Sequence, residues 1–240
     1  MPGLHSNRGA KRARDARHDL RLGAAAPLPC LLDVVERGAG LPVVVASLPD
    51  GVAGACHRGA GGAVLWVNGR QFRPRQRFTL AHELAHAWCG HDGHETVDSV
   101  ATLGGTTSDP VEIQANAFAA EFLVPRAAMQ QLVVGPPSLD EVVTIATAFG
   151  VSAIVVLYRL KELRLVAAPR AAQLQAEIDE RLHEDAFARL GLAPLEDRLG
   201  TLEHLPYLSP ALDGSLLAAG LRGEAAVDAG LAGAVRRLLG

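Results

Sequence analysis

His82, Glu83 and His86 stand in the run Arg77-Phe78-Thr79-Leu80-Ala81-His82-Glu83-Leu84-Ala85-His86, an H-E-x-x-H pattern. Helical residues advance by about 100° each, so residues four apart lie about 40° apart and one turn above each other. Two imidazoles placed that way can share one metal ion. The carboxylate between them can reach a water beside that ion without binding it. The chemistry this predicts is zinc-assisted hydrolysis with Glu83 as general base. Leu80, Ala81, Leu84, Ala85, Ala87 and Trp88 fall on the other side of such a helix, so its back should be buried while the polar trio faces a gap. Thr79 reads as the N-cap and Gly90 as the residue past the end, which predicts about three turns.

A catalytic zinc needs a third protein donor and one open position. Asp92 stands ten residues after His82, where one class of H-E-x-x-H enzymes places that donor. Cys89 replaces the glycine of that pattern, however, no methionine turn follows, and His91 misses the spacing by one. Glu112 opens a later helix, with Asn116 one turn on and on the same face, where it could orient a histidine. Glu121 lies nine residues beyond Glu112 and about 180° round that helix, so the two glutamates cannot face one metal. Glu112 fits best, although after Asp109 it could equally serve as a capping-box residue. Cys89 faces the side of His86, but three donors from one helix would strain a tetrahedral site, and it reads as a small buried hydrophobe. His91 and His94 in the following loop are candidates to stabilise a transition state.

These residues need a scaffold. The runs Pro42–Ser47, Val52–Cys56 and Ala63–Asn68 read as strands, with turns at Pro49-Asp50-Gly51 and at the glycines around 59–62. A small antiparallel hairpin or meander is expected, with Ala63–Asn68 as an edge along which an extended substrate could lie. Cys30–Arg37 reads as a short helix and 91–108 as a polar loop. Asp109 and Pro110 open a helix that Pro125 stops. Ser138-Leu139-Asp140-Glu141 is a capping box opening a helix to Phe149, and a second helix runs from Ser152 to about Leu165. Pro169–Leu190 reads as one longer helix and Ser209–Gly240 as two short ones. The fold class expected is α+β, with a mostly helical C-terminal part that contains a helix-turn-helix-like segment. The domain division expected is a basic N-terminal segment (1–24, a solvated or frayed helix), a catalytic domain (25–125), a helix-turn-helix-like subdomain (126–167) and a helical region (168–240). In that last region Leu174, Ile178, Leu182 and Leu190 could support oligomerisation.

Composition narrows the function classes. The chain has 240 residues, enough for one sizeable core, and its net charge of −3 gives no general case for nucleic-acid binding. Only 4% of residues are aromatic, so Ala, Leu and Val must build the core. Cys30, Cys56 and Cys89 form no C-x-x-C pair, which points to a reducing compartment rather than a disulfide framework. Neither a signal peptide nor a bilayer-length apolar run is evident, so a cytoplasmic protein is expected.

Two blocks carry a more specific signal. Arg75-Gln76-Arg77-Phe78-Thr79-Leu80-Ala81-His82-Glu83-Leu84-Ala85-His86 followed by Glu112-Ile113-Gln114-Ala115-Asn116-Ala117-Phe118-Ala119-Ala120-Glu121-Phe122-Leu123-Val124-Pro125 resembles the ImmA/IrrE family of metallopeptidases. Leu48–Gly54 and Val64–Asn68 are similar to that family's strands, and the resemblance spans about residues 25–165. Phe122-Leu123-Val124 and Ala85 depart from the family's usual residues without touching a ligand. The resemblance implies a zincin-like domain in which His82, His86 and Glu112 bind Zn2+ and Glu83 is the base. It also implies a protein substrate, a helix-turn-helix repressor whose cleavage switches genes on in stress response or mobile-element transfer.

Two other readings compete. Residues 138–165 have helix-turn-helix rhythm, but the second helix begins Ser152-Ala153-Ile154-Val155-Val156, without the polar groups that read base edges, so DNA binding is disfavoured. Alternatively the zinc serves sensing or structure in a partner-binding regulatory module, without turnover.

Overall fold

A computed structural model of the chain describes residues 2–48, 51–59, 62–91, 96–99, 107–192 and 207–209. The fold is α+β. Strands β1 (Val43–Ala46), β2 (Val52–Gly59) and β3 (Gly62–Asn68) are joined by β4 (Thr96–Ser99) and β5 (Tyr207–Leu208) in the order β4-β2-β3-β1-β5. The sheet is mixed rather than wholly antiparallel. β1 runs parallel to β3, with Val43 opposite Leu65 and Ala46 opposite Asn68, while β2 is antiparallel to both β3 and β4. At the end of β3, Asn68 Nδ2 donates to the Val52 carbonyl at 2.7 Å and its Oδ1 accepts from Leu48 N at 3.4 Å. β2 lies beyond β3 and antiparallel to it, and β1 and β3 point the same way. β3 is thus internal, not the edge expected for Ala63–Asn68; among the described residues the edges are β4 and β5, and β4 falls inside the stretch expected to be loop.

The H-E-x-x-H helix, α3 (Arg73–Cys89), starts six residues before the expected Thr79. Pro74 is tolerated in its first turn, where its missing N–H would have no helical partner. Thr79 sits fully buried mid-helix, its hydroxyl 3.3 Å from Gln71 Oε1 rather than on a backbone N–H. The end is as expected: Gly90 adopts the left-handed conformation (φ 65°) that closes a helix. α3 lies over β2 and β3, and α4 (Pro110–Leu123) packs beside it.

α1 (Pro2–Asp19) is no frayed helix. It lies against α4 through Gly9, Ala13 and Ala16, so closely that a Cβ on Gly9 would stand 2.1 Å from the Gln114 carbonyl oxygen. Buried Arg17 fixes it, donating to the carbonyls of Phe122 (2.6 Å), Gly23 and Ala26 (both 2.5 Å). α2 (Leu31–Asp33) continues into a π-helical turn, Val34–Gly38. After α5 (Arg126–Leu132) come α6 (Leu139–Phe149) and α7 (Ala153–Glu162), which meet at 106°, within the helix-turn-helix range. The Ser138–Glu141 capping box is present. The expected long helix over 169–190 is divided: Arg181, in the left-handed region (φ 63°), separates α8 (Ala168–Asp179) from α9 (Leu182–Arg189). Leu174 and Ile178 belong to the internal core, whereas Leu182 and Leu190 are exposed. No single described helix is long and apolar enough to cross a membrane. The two helices expected over 209–240 lie outside the described residues, apart from Ser209.

Candidate metal centre

His82 and His86 project from the middle of α3, and Glu112 from the first turn of α4. All three are nearly or fully buried, at 0, 3 and 6% exposure. The two Nε2 atoms lie 3.0 Å apart; Glu112 Oε2 is 3.1 Å from His82 Nε2, and Oε1 is 3.5 Å from His86 Nε2. Ligand atoms round a tetrahedral zinc with bonds of about 2.0–2.2 Å stand about 3.3 Å apart, so this nitrogen–nitrogen–oxygen set matches such an ion in spacing and donor type. The three residues form a group that could hold a metal ion. Glu112 is not spent on capping. The side-chain cap of α4 is Asp109, which accepts from Val111 N at 2.8 Å.

Each imidazole is also gripped at its far nitrogen. His82 Nδ1 lies 3.0 Å from Asn116 Oδ1 and His86 Nδ1 lies 3.1 Å from His91 Nδ1. An amide oxygen can only accept, so Nδ1 of His82 carries the proton and its Nε2 keeps a lone pair for a metal. His91 Nδ1 would accept the His86 Nδ1 proton in the tautomer that leaves His86 Nε2 for a metal. This is neither of the two roles the sequence suggested for it, third ligand or transition-state stabiliser. The available signal was Gly90, whose left-handed turn brings His91 N to the His86 carbonyl at 3.1 Å and folds the His91 ring back onto its neighbour. Asp92 and His94 lie outside the described residues.

Glu83 is wholly buried between α3 and β2. Gly54 makes its space: a Cβ there would stand 2.7 Å from Glu83 Oε1, 2.5 Å from Thr79 Cγ2 and 2.7 Å from the Trp66 carbonyl oxygen. Sequence reasoning gave Gly54 no role at the site, although a glycine inside a strand is a sign of close approach or a bulge, and the β2–β4 register shifts between Val52 and Gly54. Cys89 is half-buried and outside the three-donor group. Burial pushes its thiol pKa up, against a lowering hydrogen bond with Gln114, which keeps it in the protonated form that binds metals poorly.

A family model described as peptidase M78, the IrrE N-terminal-like domain, matches residues 40–161. The chain belongs to that family. The match contains β1 to β3, the H-E-x-x-H helix, the Glu112 helix and nearly all of α7, and it agrees with the resemblance carried by the two sequence blocks. The domain is therefore of the metallopeptidase type, with His82, His86 and Glu112 as its candidate metal group. α1, which packs against α4, lies outside the matched stretch. No curated protein matches the chain.

Proposed function

We propose that the protein is a zinc-dependent endopeptidase, acting as a regulatory protease on a helix-turn-helix repressor. The observation that carries the peptidase reading is the buried His82–His86–Glu112 set, with Glu83 on the same helix wedged against β2. Zinc, when bound, would acidify a water and polarise the scissile carbonyl. Glu83 takes the proton of the attacking water and returns it to the leaving amine, a shuttle that fits a carboxylate held beside the donors without being one of them. Asn116 and His91 keep each imidazole in the tautomer that leaves Nε2 as a donor. The repressor substrate, and with it a place in stress response or element transfer, rests on the family resemblance.

The test is co-expression of the chain, or its Glu83→Gln form, with neighbouring repressor candidates, together with zinc analysis of both purified proteins. The active chain should remove full-length repressor; Glu83→Gln should retain one zinc per chain and leave the repressor intact. If the cellular response persists in Glu83→Gln, turnover is not the function and the site serves sensing or binding.

A further inference from the structure

A cavity of about 630 Å³ opens between α3, α4 and α7. Small-molecule sites occupy about 300–1,000 Å³, so the space is of the size that takes a ligand. Phe78, Ile113, Ala120 and Val155 give it an apolar wall. None of the three donors lines it, nor does Glu83. It borders the metal group through Asn116, whose Oδ1 lies 3.0 Å from His82 Nδ1, on the side of that imidazole away from Nε2. An occupant therefore touches no metal-facing atom. What it can touch is the amide that sets the His82 tautomer.

The polar groups decide what such an occupant carries. Among the described residues, the charged side chains at the cavity are Arg75, Arg159 and Glu162. Arg159 and Glu162 pair with each other at 2.5 Å, and Arg159 pairs also with buried Glu121, so these charges are met within the chain. Arg75 adds a guanidinium to the wall, and burial pulls its pKa down, as expected of a cation partly withdrawn from water. Its five N–H donors can hold a carboxylate beside any other group they meet. Ser152 lines the same space, and its side chain makes no cap bond to α7, so the hydroxyl can donate as well. This wall suits an apolar body with one anionic head. It disfavours an amine, which would set a second cation against Arg75.

We propose that this cavity binds a small monocarboxylate with an apolar body, and that its occupancy raises metal affinity at His82, His86 and Glu112 by holding the Asn116 amide against His82. The coupling rests on the metal reading of those three residues; the ligand site itself does not.

Phenylbutyrate is the probe, with its amide and phenylbutylamine as the neutral and cationic counterparts. Each is titrated into the full-length, methyl-labelled, zinc-free chain. The acid should shift the methyl signals of Ile113, Ile154 and Val155 and bind at least about tenfold more tightly than the amide, and the amine should not bind. Val155→Trp and Ala120→Phe fill the cavity from two different helices, so a folding failure of one leaves the other, and the shifts should vanish in each that folds. Chelator competition should show zinc held at least about fivefold more tightly at saturating phenylbutyrate, with zinc raising phenylbutyrate affinity by the same factor. Asn116→Ala should abolish both effects. These measurements read binding and not cleavage, so their failure is distinct from a failure of the peptidase reading, which Glu83→Gln tests. Methyls that stay unmoved, shifts that survive both filling variants, or an amide that binds as tightly as the acid would overturn the site. A zinc affinity indifferent to phenylbutyrate, or raised equally in Asn116→Ala, would overturn the coupling.

Discussion

α4 carries two buried glutamates nine residues apart, and they meet opposite surroundings. Glu112, in the first turn, faces two imidazoles. Glu121, near the end, is ion-paired with buried Arg159, lies 3.5 Å from Arg14 and accepts from Arg126 N. Arg159 is itself fully used, donating to the Val124 carbonyl at 2.9 Å and pairing with Glu162 at 2.5 Å. One carboxylate is neutralised permanently by the chain, tying α1, α4 and α7 together. The other is held against the two imidazoles of the candidate metal group. The difference teaches that burial of an acid says little about its use, and that the sign and permanence of its partner say a great deal.

Exchanging the two by mutation gives the largest contrast. Glu112→Ala should lower zinc affinity by more than the roughly 10–100-fold loss typical of a supporting residue, and abolish turnover, with the urea unfolding of the metal-free protein nearly unchanged. Glu121→Ala should do the reverse. It leaves buried Arg159 with only the partly exposed Glu162 as a counter-charge and costs about 3 kcal/mol, read as a shift in the urea midpoint, while the folded fraction binds zinc as before. The double variant Glu121→Met with Arg159→Met should recover most of that loss. Should Glu121→Ala weaken zinc binding as strongly as Glu112→Ala, the two ends of α4 are not separate in function.

A finer contrast lies within the metal end. Asn116→Ala removes the acceptor that fixes the His82 tautomer but no donor, so zinc affinity should fall by about 10–100-fold with little change in stability. A competition titration against a chelator would show it. An unchanged affinity would mean that the imidazole is held by packing alone.

The core of this arrangement was legible because it is local. An H-E-x-x-H spacing and the 180° separation of Glu112 from Glu121 need only the helical period, and the Gly90 end needs only the left-handed preference of glycine. The start of α3 was misread because Thr79 has the chemistry of a cap, and only burial against the sheet shows that its hydroxyl is committed to Gln71. The parallel pairing of β1 with β3 comes with β2 lying beyond β3 rather than beside β1, a strand order no periodicity encodes. α1 looked like a solvated basic segment because its contact face is made of Gly9, Ala13 and Ala16, residues too small to raise a hydrophobic signal. Gly54 and His91 act on the site through close approach and through a turn. Both are visible only once two elements are brought together.

A third carboxylate gives the weak end of the scale. Glu36, in the π-helical turn, pairs with neither an arginine nor an imidazole; its Oε2 accepts from Tyr207 Oη at 2.5 Å and its Oε1 from Val43 N at 3.3 Å. It thereby ties β5, which pairs with β1 through Tyr207 and Leu208, to the opposite end of the chain. Burial first, and then donation to this carboxylate, push the Tyr207 pKa up to about 12 from its ordinary 10. A raised folded-state pKa means the phenol contributes stability in full below about pH 10, where both states keep the proton; the contribution is lost as pH climbs through 12. Tyr207→Phe should therefore cost only about 1 kcal/mol near neutral pH, since one partly exposed neutral donor is involved. The gap between wild type and variant should narrow once pH passes 10. Zinc affinity should not change at all, because this bond lies on β1, on the far side of β3 from the Glu83 cradle at Gly54. A gap that stayed constant across that alkaline window would show that the phenol–carboxylate bond does not hold β5, and that pairing with β1 alone does.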